Sequence, residues 1–134
     1  MEGVSPPRRV IWGCASLFLT ATLIVPAHAQ KMYWTDDDDA KIRRANLDGS
    51  QVEELVAATI QRPAGIALDL SERKMYWTDW GTDRIHRANL DGSNVETILS
   101  TGLAEPAGIA LDPASGKLYW NELRLAGLRR SNLD

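Results

Sequence analysis

The sequence predicts an all-β fold in which repeated sheets of four strands form the blades of a β-propeller. The first observation is a hexapeptide, Lys31–Asp36, that returns at Lys74–Asp79 and, altered, at Lys117–Glu122, with starts 43 residues apart. The second is the absence of long segments with helical periodicity; short runs rich in β-branched and aromatic residues alternate with turn signals instead. Four strands in a unit of this length are typical of a propeller blade.

The first 29 residues have the pattern of a secretory signal peptide. Arg8-Arg9 supplies a positive end, residues 10–25 form an apolar run, and Ala27-His28-Ala29 is a small-x-small cleavage site. Cleavage after Ala29 is therefore expected, which leaves residues 30–134 as a partial propeller domain without a membrane span. The apolar run is short for a spanning helix, so an uncleaved N-terminal anchor is the less favoured alternative.

One 43-residue period divides into four strands. The expected strands of the central unit are Gly65–Asp69, Lys74–Thr78, Arg84–Leu90 and Val95–Leu99. Asp91-Gly92 closes the last hairpin, because this pair tolerates positive φ. Pro63 and Pro106 are expected to precede the innermost strands, where a missing N–H costs little.

The recurring aromatic and polar residues of the hexapeptide are expected to be structural. They recur at one position per blade, which favours packing and hydrogen bonding, since a catalytic residue would not need to occur in every blade. The tryptophans are expected to supply one large ring per blade interface. The residues assigned to this structural motif are Tyr33, Trp34, Thr35, Asp36, Tyr76, Trp77, Thr78, Asp79, Tyr119 and Trp120.

Three motifs recur in order and resemble a known family. They are Tyr-Trp-Thr-Asp at 33–36, Ile-x-Arg-Ala-Asn-Leu-Asp-Gly at 42–49 and Pro-Ala-Gly-Ile-Ala-Leu-Asp at 63–69. Together they resemble the class B, or YWTD, repeats of low-density-lipoprotein receptors and their relatives, over residues 31–134. The resemblance implies a six-bladed β-propeller that binds proteins outside the cell or helps to release endocytosed cargo.

The sequence departs from the family pattern in three ways. Residues 31–61, 62–104 and 105–134 supply three, four and three expected strands, about two and a half blades, where six blades need 24 strands. The third hexapeptide has Asn121 and Glu122 in place of Thr and Asp. The Cys-rich EGF-like modules that accompany these propellers are also missing. The alternative of a fragment of a longer propeller protein without independent function therefore stays open.

Loops on one propeller face carry ligand contacts in the family, and the matching loops here are 36–40, 80–83 and 123–126. Trp80 lies outside the repeated pattern, and Trp and Arg are enriched at binding hot spots. The acidic run at 36–39 could hold Ca²⁺, but it lacks the glycine and distal Glu of a calcium loop, so a solvated acidic loop is favoured. The candidate ligand-binding residues are Asp36, Asp37, Asp38, Trp80, Asp83 and Arg84.

Several functional classes have little support in the sequence. A net charge of −3 offers no basic face for nucleic acid. The only cysteine, Cys14, lies in the expected signal peptide, and the single later histidine, His86, is expected to be an ordinary surface or groove residue. We expect no catalysis and no cofactor. The enzymatic alternative is part of a lactonase-like propeller hydrolase with a central metal, but the innermost strands offer only Asp69 and Asp112.

The sequence therefore favours a secreted or extracytoplasmic protein-binding module, periplasmic or extracellular in location. Its expected partner is a protein ligand, or another copy of the chain that associates through open blade edges.

Overall fold

The computed structural model describes residues 31–133, so the expected signal peptide at residues 1–29 lies outside the described residues. Ten strands account for the regular structure of this region. None of the described residues belongs to a helix long and apolar enough to cross a membrane. The strands are β1 (Lys31–Asp36), β2 (Lys41–Asn46), β3 (Glu53–Val56), β4 (Pro63–Asp69), β5 (Lys74–Asp79), β6 (Arg84–Asn89), β7 (Glu96–Leu99), β8 (Pro106–Asp112), β9 (Lys117–Glu122) and β10 (Gly127–Asn132).

The strands form three antiparallel sheets, with the orders β1-β2-β3, β4-β5-β6-β7 and β8-β9-β10. We call these sheets blade 1, blade 2 and blade 3. The predicted all-β propeller fold of about two and a half blades is confirmed. One detail differs: Pro63 and Pro106 begin the innermost strands instead of preceding them. Each is followed by a register shift, after Pro63 in β4 and after Pro106 in β8, so the proline lies where the regular ladder is already interrupted.

The hexapeptide has the same register in every blade. Trp34 lies opposite Arg43, Trp77 opposite His86, and Trp120 opposite Arg129. Because side chains alternate between the two faces of a strand, this register places the Tyr and Thr of the hexapeptide on one face and the Trp on the other.

Two apolar clusters join the blades. Between blades 1 and 2, Ile42 and Val56 pack with Met75, Trp77 and Leu90. The second cluster lies between blades 2 and 3, where Ile85 packs with Leu118 and Trp120. Trp77 is fully buried and Trp120 nearly so, whereas Trp34 is only partly buried. The apolar core of the described region therefore lies between the sheets, where neighbouring blades meet.

The innermost strands β4 and β8 lie side by side, and Gly65 allows their approach. A Cβ atom at this position would lie 2.5 Å from the carbonyl oxygen of Ala107 and 2.9 Å from the amide nitrogen of Ile109. Both of these atoms belong to the backbone of the next blade, which cannot move away cheaply. Glycine is thus required for the blades to converge.

Candidate functional site

Three loops, which join β1 to β2, β5 to β6 and β9 to β10, lie at the same end of the molecule as the linkers between blades. The amide of Trp80 donates to the carbonyl of Arg62 at 3.1 Å, and that of Leu123 donates to the carbonyl of Glu105 at 3.0 Å. We call this end the loop face; it consists of residues 37–40, 57–62, 80–83, 100–105 and 123–126. These hydrogen bonds hold the backbone of the loop face in place, so the Cα positions from which its side chains extend are fixed.

Asp37, Arg62 and Trp80 meet on the loop face and are called the Trp80 cluster. The guanidinium carbon of Arg62 lies 3.8 Å from the centre of the Trp80 ring. Its Nε and Nη2 donate to the two carboxylate oxygens of Asp37 at 3.1 and 3.0 Å. The Arg62 guanidinium lowers the pKa of Asp37, and the Asp37 carboxylate raises that of Arg62. A linker arginine thereby ties an acid from blade 1 to an aromatic ring from blade 2.

The remaining acids of the 36–39 run are placed differently. Asp36 accepts from the side chain of Arg43 and from the amide of Asp39, so it faces its own hairpin. Asp39 also pairs with Arg43, which lowers the pKa of Asp39. Asp38 is exposed. Among residues 31–133, no group of three His, Cys, Asp or Glu residues is arranged to hold a metal ion.

Asp83 and Arg84 lie beside the next linker. The carboxylate of Asp83 accepts from the amide of Glu105 at 2.7 Å, which fastens the turn of blade 2 to the start of blade 3. The side chain of Arg84 is exposed. In the third loop, Leu123 and Leu125 are exposed, so the loop face becomes apolar there. Of the six candidate residues, only Asp37 and Trp80 share a cluster.

Asp79 positions the Trp80 cluster through hydrogen bonds to the backbone amides beneath it. Its buried carboxylate accepts from the amides of Gln61 and Arg62 at 2.9 and 3.0 Å. It also accepts from the amides of Gly81 and Thr82 at 3.1 and 3.2 Å. One carboxylate thus orders both the linker that carries Arg62 and the turn that carries Trp80.

Thr78 links the innermost strands of two blades. Its hydroxyl oxygen accepts from the amide of Gly65 at 2.9 Å within blade 2 and donates to the carbonyl of Ala107 in blade 3. In blade 1, Thr35 likewise donates to the carbonyl of Ala64 at 2.6 Å. Asn121 replaces this threonine in blade 3, and its side-chain oxygen accepts from the amide of Gly108 at 2.7 Å. The hydrogen bond within the blade therefore survives the replacement.

A second hydrogen bond between blades is donated by an arginine, which lies on β2 in blade 1 and on β6 in blade 2. Arg44 donates from Nη1 to the carbonyl of Leu90 at 2.9 Å, and Arg87 donates from Nη1 to the carbonyl of Leu133 at the same distance. Each arginine also pairs with a glutamate of its own blade, and this hydrogen bond raises the arginine pKa in both cases.

The expectation that His86 is a surface or groove residue is wrong. His86 is 2% exposed and stacks on Trp77, with ring centroids 5.3 Å apart. Its Nδ1 lies 3.1 Å from the hydroxyl of Thr97, whereas its Nε2 has no hydrogen-bond partner among the described residues. Burial lowers the pKa of His86. The sequence could not reveal this, because the matching position of blade 1 holds Arg43, which turns toward the acidic loop.

Fold and motifs together define a class of protein, a β-propeller built from repeats that interlock through their hexapeptides. The family model of the low-density lipoprotein receptor repeat class B matches residues 30–70 and 73–113, which is more than half of the chain. The chain belongs to this family.

Similar proteins agree with this assignment. Low-density lipoprotein receptor-related protein 5 of mouse and human is 55% identical over 38 residues, which are 28% of this chain and 2% of those proteins. A chain in the crystal structure of a nidogen/laminin complex is 37% identical, with a TM-score of 0.74 over 78% of this chain and 41% of that chain. This chain thus spans 2% of the receptor-related proteins and less than half of the chain in the nidogen/laminin complex.

More distant structures share the fold alone. A putative TolB from Agrobacterium tumefaciens is 16% identical, with a TM-score of 0.63 over 79% of this chain and 43% of that chain. A catalytically inactive virginiamycin B lyase from Staphylococcus aureus, with quinupristin, is 18% identical, with a TM-score of 0.58 over 76% and 37%.

Proposed function

We propose that the chain is a non-catalytic, extracytoplasmic protein-binding module whose contact surface includes the Trp80 cluster. The observation that carries the proposal is a partly exposed Trp80 ring held in place by Arg62, which Asp37 holds in turn. Trp and Arg are among the residues most enriched at binding hot spots. Because these side chains are already ordered, a partner would bind them with little loss of side-chain entropy.

The relatives support protein binding. The relative of known structure at 37% identity was solved in a nidogen/laminin complex, and the other relatives are named as receptor-related proteins. Of the six candidate residues, we assign direct contacts to Asp37, Asp38, Trp80 and Arg84. Asp36 and Asp83 are bound within the fold, so we assign them the role of holding their loops.

We also propose that residues 1–29 direct export and are removed after Ala29, which leaves residues 30–134 as one partial propeller domain outside the cytoplasm. N-terminal sequencing of the exported protein tests this proposal. A first residue other than Gln30 would contradict it, and retention of the whole segment would favour the membrane-anchored alternative.

The proposed absence of catalysis has support at the innermost strands. Asp69 accepts from both the amide and the hydroxyl of Ser71, and Asp112 does the same with Ser115. Both acids are therefore used in turns, and these hydrogen bonds lower their pKa values. No specific observation favours the lactonase-like alternative.

Association between copies is a second candidate, favoured by the exposed faces of the outer blades. Met75 and Leu90 are buried in blade 2, whereas the matching Met32 and Leu47 of blade 1 are 39% and 68% exposed. The solution mass, measured by light scattering, tests it. A discrete oligomer would support association through open blade edges, and a monomer at high concentration would contradict it.

Surface plasmon resonance with laminin as the probe tests the proposed loop-face function. We expect saturable binding by the unmodified chain and roughly tenfold or greater weakening in Trp80→Ala, as for a hot-spot residue. Leu70→Ala is the matched control, because Leu70 is exposed in a turn between β4 and β5, away from the loop face. No saturable binding, or equal affinity of Trp80→Ala and Leu70→Ala, would contradict the proposal.

A further inference from the structure

The loop face contains two junctions between neighbouring blades, and the repeat makes them directly comparable. The first junction is the Trp80 cluster, formed by Asp37, Arg62 and Trp80. The second junction consists of Trp80, Glu105 and Leu123, each 43 residues after its counterpart in the first. Their backbones are alike, because the amides of Trp80 and Leu123 donate to the carbonyls of Arg62 and Glu105. Trp80 therefore belongs to both junctions.

In the first junction, a basic side chain of the linker fills the space between the two loops. The guanidinium carbon of Arg62 lies 3.8 Å from the centre of the Trp80 ring, and its Nη2 lies 3.0 Å from the carboxylate of Asp37. A planar guanidinium suits both contacts, because it stacks on aromatic rings and presents several N–H donors to a carboxylate. The chain thus shows which side chain a junction of this kind accepts.

The second junction has an acid where the first has this arginine. No ion pair within residues 31–133 includes Glu105, whose side chain is half-buried. Leu123 stands in the place of the aromatic ring, and Trp80 stands in the place of the acid. The linker therefore supplies a carboxylate between an aliphatic and an aromatic side chain, but no cation.

The backbone of Glu105 also differs from that of Arg62. Its φ is 56°, in the left-handed region that is uncommon for residues other than glycine, whereas Arg62 has no positive φ. The carboxylate of Asp83 holds this conformation, because it accepts from the amide of Glu105 at 2.7 Å. Since φ sets the direction of Cβ, the two side chains leave the linkers in different directions. Backbone strain of this kind is concentrated at sites that bind ligands.

The charge of the loop face favours a basic ligand. Its five segments contain five acids and two arginines, a net charge of −3. One of these arginines, Arg62, is already paired with Asp37. Complementary charge accelerates the association of a basic partner and disfavours an acidic one. The charged residues of the loop face are Asp37, Asp38, Asp39, Arg62, Asp83, Glu105 and Arg124.

We propose that the second junction binds an arginine side chain of the protein partner, in the place that Arg62 takes in the first junction. The methylene stem of this arginine packs on Leu123, and its guanidinium contacts the Trp80 ring and pairs with Glu105. The inference rests on the proposed loop-face function and names the chemistry that a partner presents to it.

Nuclear magnetic resonance with a small probe tests the proposal on the whole chain. The probe is N-acetyl-arginine amide, and the control ligand is N-acetyl-citrulline amide, which has nearly the same shape but no charge. The indole N–H signal of Trp80, assigned with Trp80→Phe, is followed at constant ionic strength. We expect saturable binding of the arginine derivative in roughly the millimolar range and at least tenfold weaker binding of the citrulline derivative.

Glu105→Arg should abolish this binding, because the linker then supplies its own basic side chain and the carboxylate is lost. Arginine and glutamate both carry a Cβ atom, so the left-handed backbone disfavours them alike. Glu72→Arg is the matched control, since it makes the same change of charge at an exposed turn between β4 and β5, away from the loop face. It should keep the affinity within about twofold, as expected for a screened, distant charge.

Three results would overturn the proposal: no shift of the Trp80 signal, equal binding of the two derivatives, or equal affinity of Glu105→Arg and Glu72→Arg. The laminin experiment fails separately from this one. Laminin binding that depends on Trp80, without binding of the arginine derivative, would keep the loop-face function and overturn this inference. Binding of the arginine derivative at Trp80 would support the subsite even where the laminin experiment had failed.

Discussion

At the scale of single residues, the hydroxyl of Thr78 acts as both acceptor and donor between the backbones of two blades. Its side chain is fully buried. The methyl group of a valine would fill almost the same space without satisfying either backbone group. The stabilising contribution of Thr78 therefore comes from its hydrogen bonds, whereas that of the neighbouring Trp77 comes from the volume that its buried side chain fills.

We therefore expect Thr78→Val to lower the free energy of unfolding by about 1–3 kcal/mol, because a buried N–H and a buried C=O lose their partner. Chemical denaturation measures the change. Thr101→Val, at an exposed position of the linker between blades 2 and 3, is the control and should change stability little. Equal losses in the two variants would show that the Thr78 link is not stabilising.

His86 should make stability depend on pH. Burial lowers its folded-state pKa below 6.5; the nearby Asp79 carboxylate opposes this shift, and Arg84 adds to it. The unfolded chain then binds more protons, so stability is complete above the unfolded-state pKa near 6.5 and is lost as pH falls from there through the folded-state pKa. Denaturation midpoints between pH 7.5 and 5 measure this loss.

His86→Gln is the control for this pH dependence, because glutamine keeps a polar group but does not titrate. Its stability should be flat across the same range, down to the lower pH at which the carboxylates begin to protonate. Identical slopes for His86→Gln and the unmodified chain would assign the pH dependence to other groups.

At the scale of elements, two similar turns differ in what surrounds them. Gly49 and Gly92 both occupy Asp-Gly-Ser turns with positive φ, at 82° and 86°. A Cβ atom on Gly49 would meet nothing within 4 Å, whereas one on Gly92 would lie 2.3 Å from the carbonyl oxygen of Leu55 in blade 1. The turn of blade 2 is therefore also part of an interface.

Gly49→Ala should cost only the strain of a left-handed alanine, on the order of 1 kcal/mol. Gly92→Ala should cost about 1–3 kcal/mol more, because the methyl group clashes with the backbone of blade 1. Thermal denaturation of the two variants measures the difference. Similar losses in both would mean that blade 1 yields at no cost, which would contradict the close packing of this turn.

The repeats explain which elements the sequence could predict. Every strand pairs with a neighbour close in sequence, and two copies of each motif fix its place, so the strand counts of three, four and three were predictable. The candidate site was predictable only in part. Trp80 stood out because it breaks the repeat, but Arg62 did not, since its counterpart Glu105 has the opposite charge and the cluster depends on a linker of irregular structure.

At the scale of the whole molecule, blade 2 is the only described blade with a described neighbour on both faces. Buried contacts that close both faces slow local opening, and repeat proteins gain much of their stability from such nearest-neighbour interfaces. The apolar clusters of both interfaces include residues of blade 2. Stability should therefore be distributed unevenly along the chain.

Hydrogen exchange should reveal this gradient. Amides of β5 and β6 are expected to exchange most slowly, and those of β1 and β10 faster, since each of the latter is an edge strand of its sheet within the described region. Mass spectrometry of peptic fragments resolves these strands. Uniform protection across β1 to β10 would instead indicate one cooperative unit and contradict the gradient.

The link from Arg44 to Leu90, repeated from Arg87 to Leu133, runs in one direction along the chain. Blade 2 contains both halves of the connection, the guanidinium of Arg87 on one face and the carbonyl of Leu90 on the other. When a gene segment for one unit is duplicated in tandem, the new copy can therefore engage both neighbours without compensating substitutions. The number of units can therefore change without loss of this hydrogen bond between neighbouring blades.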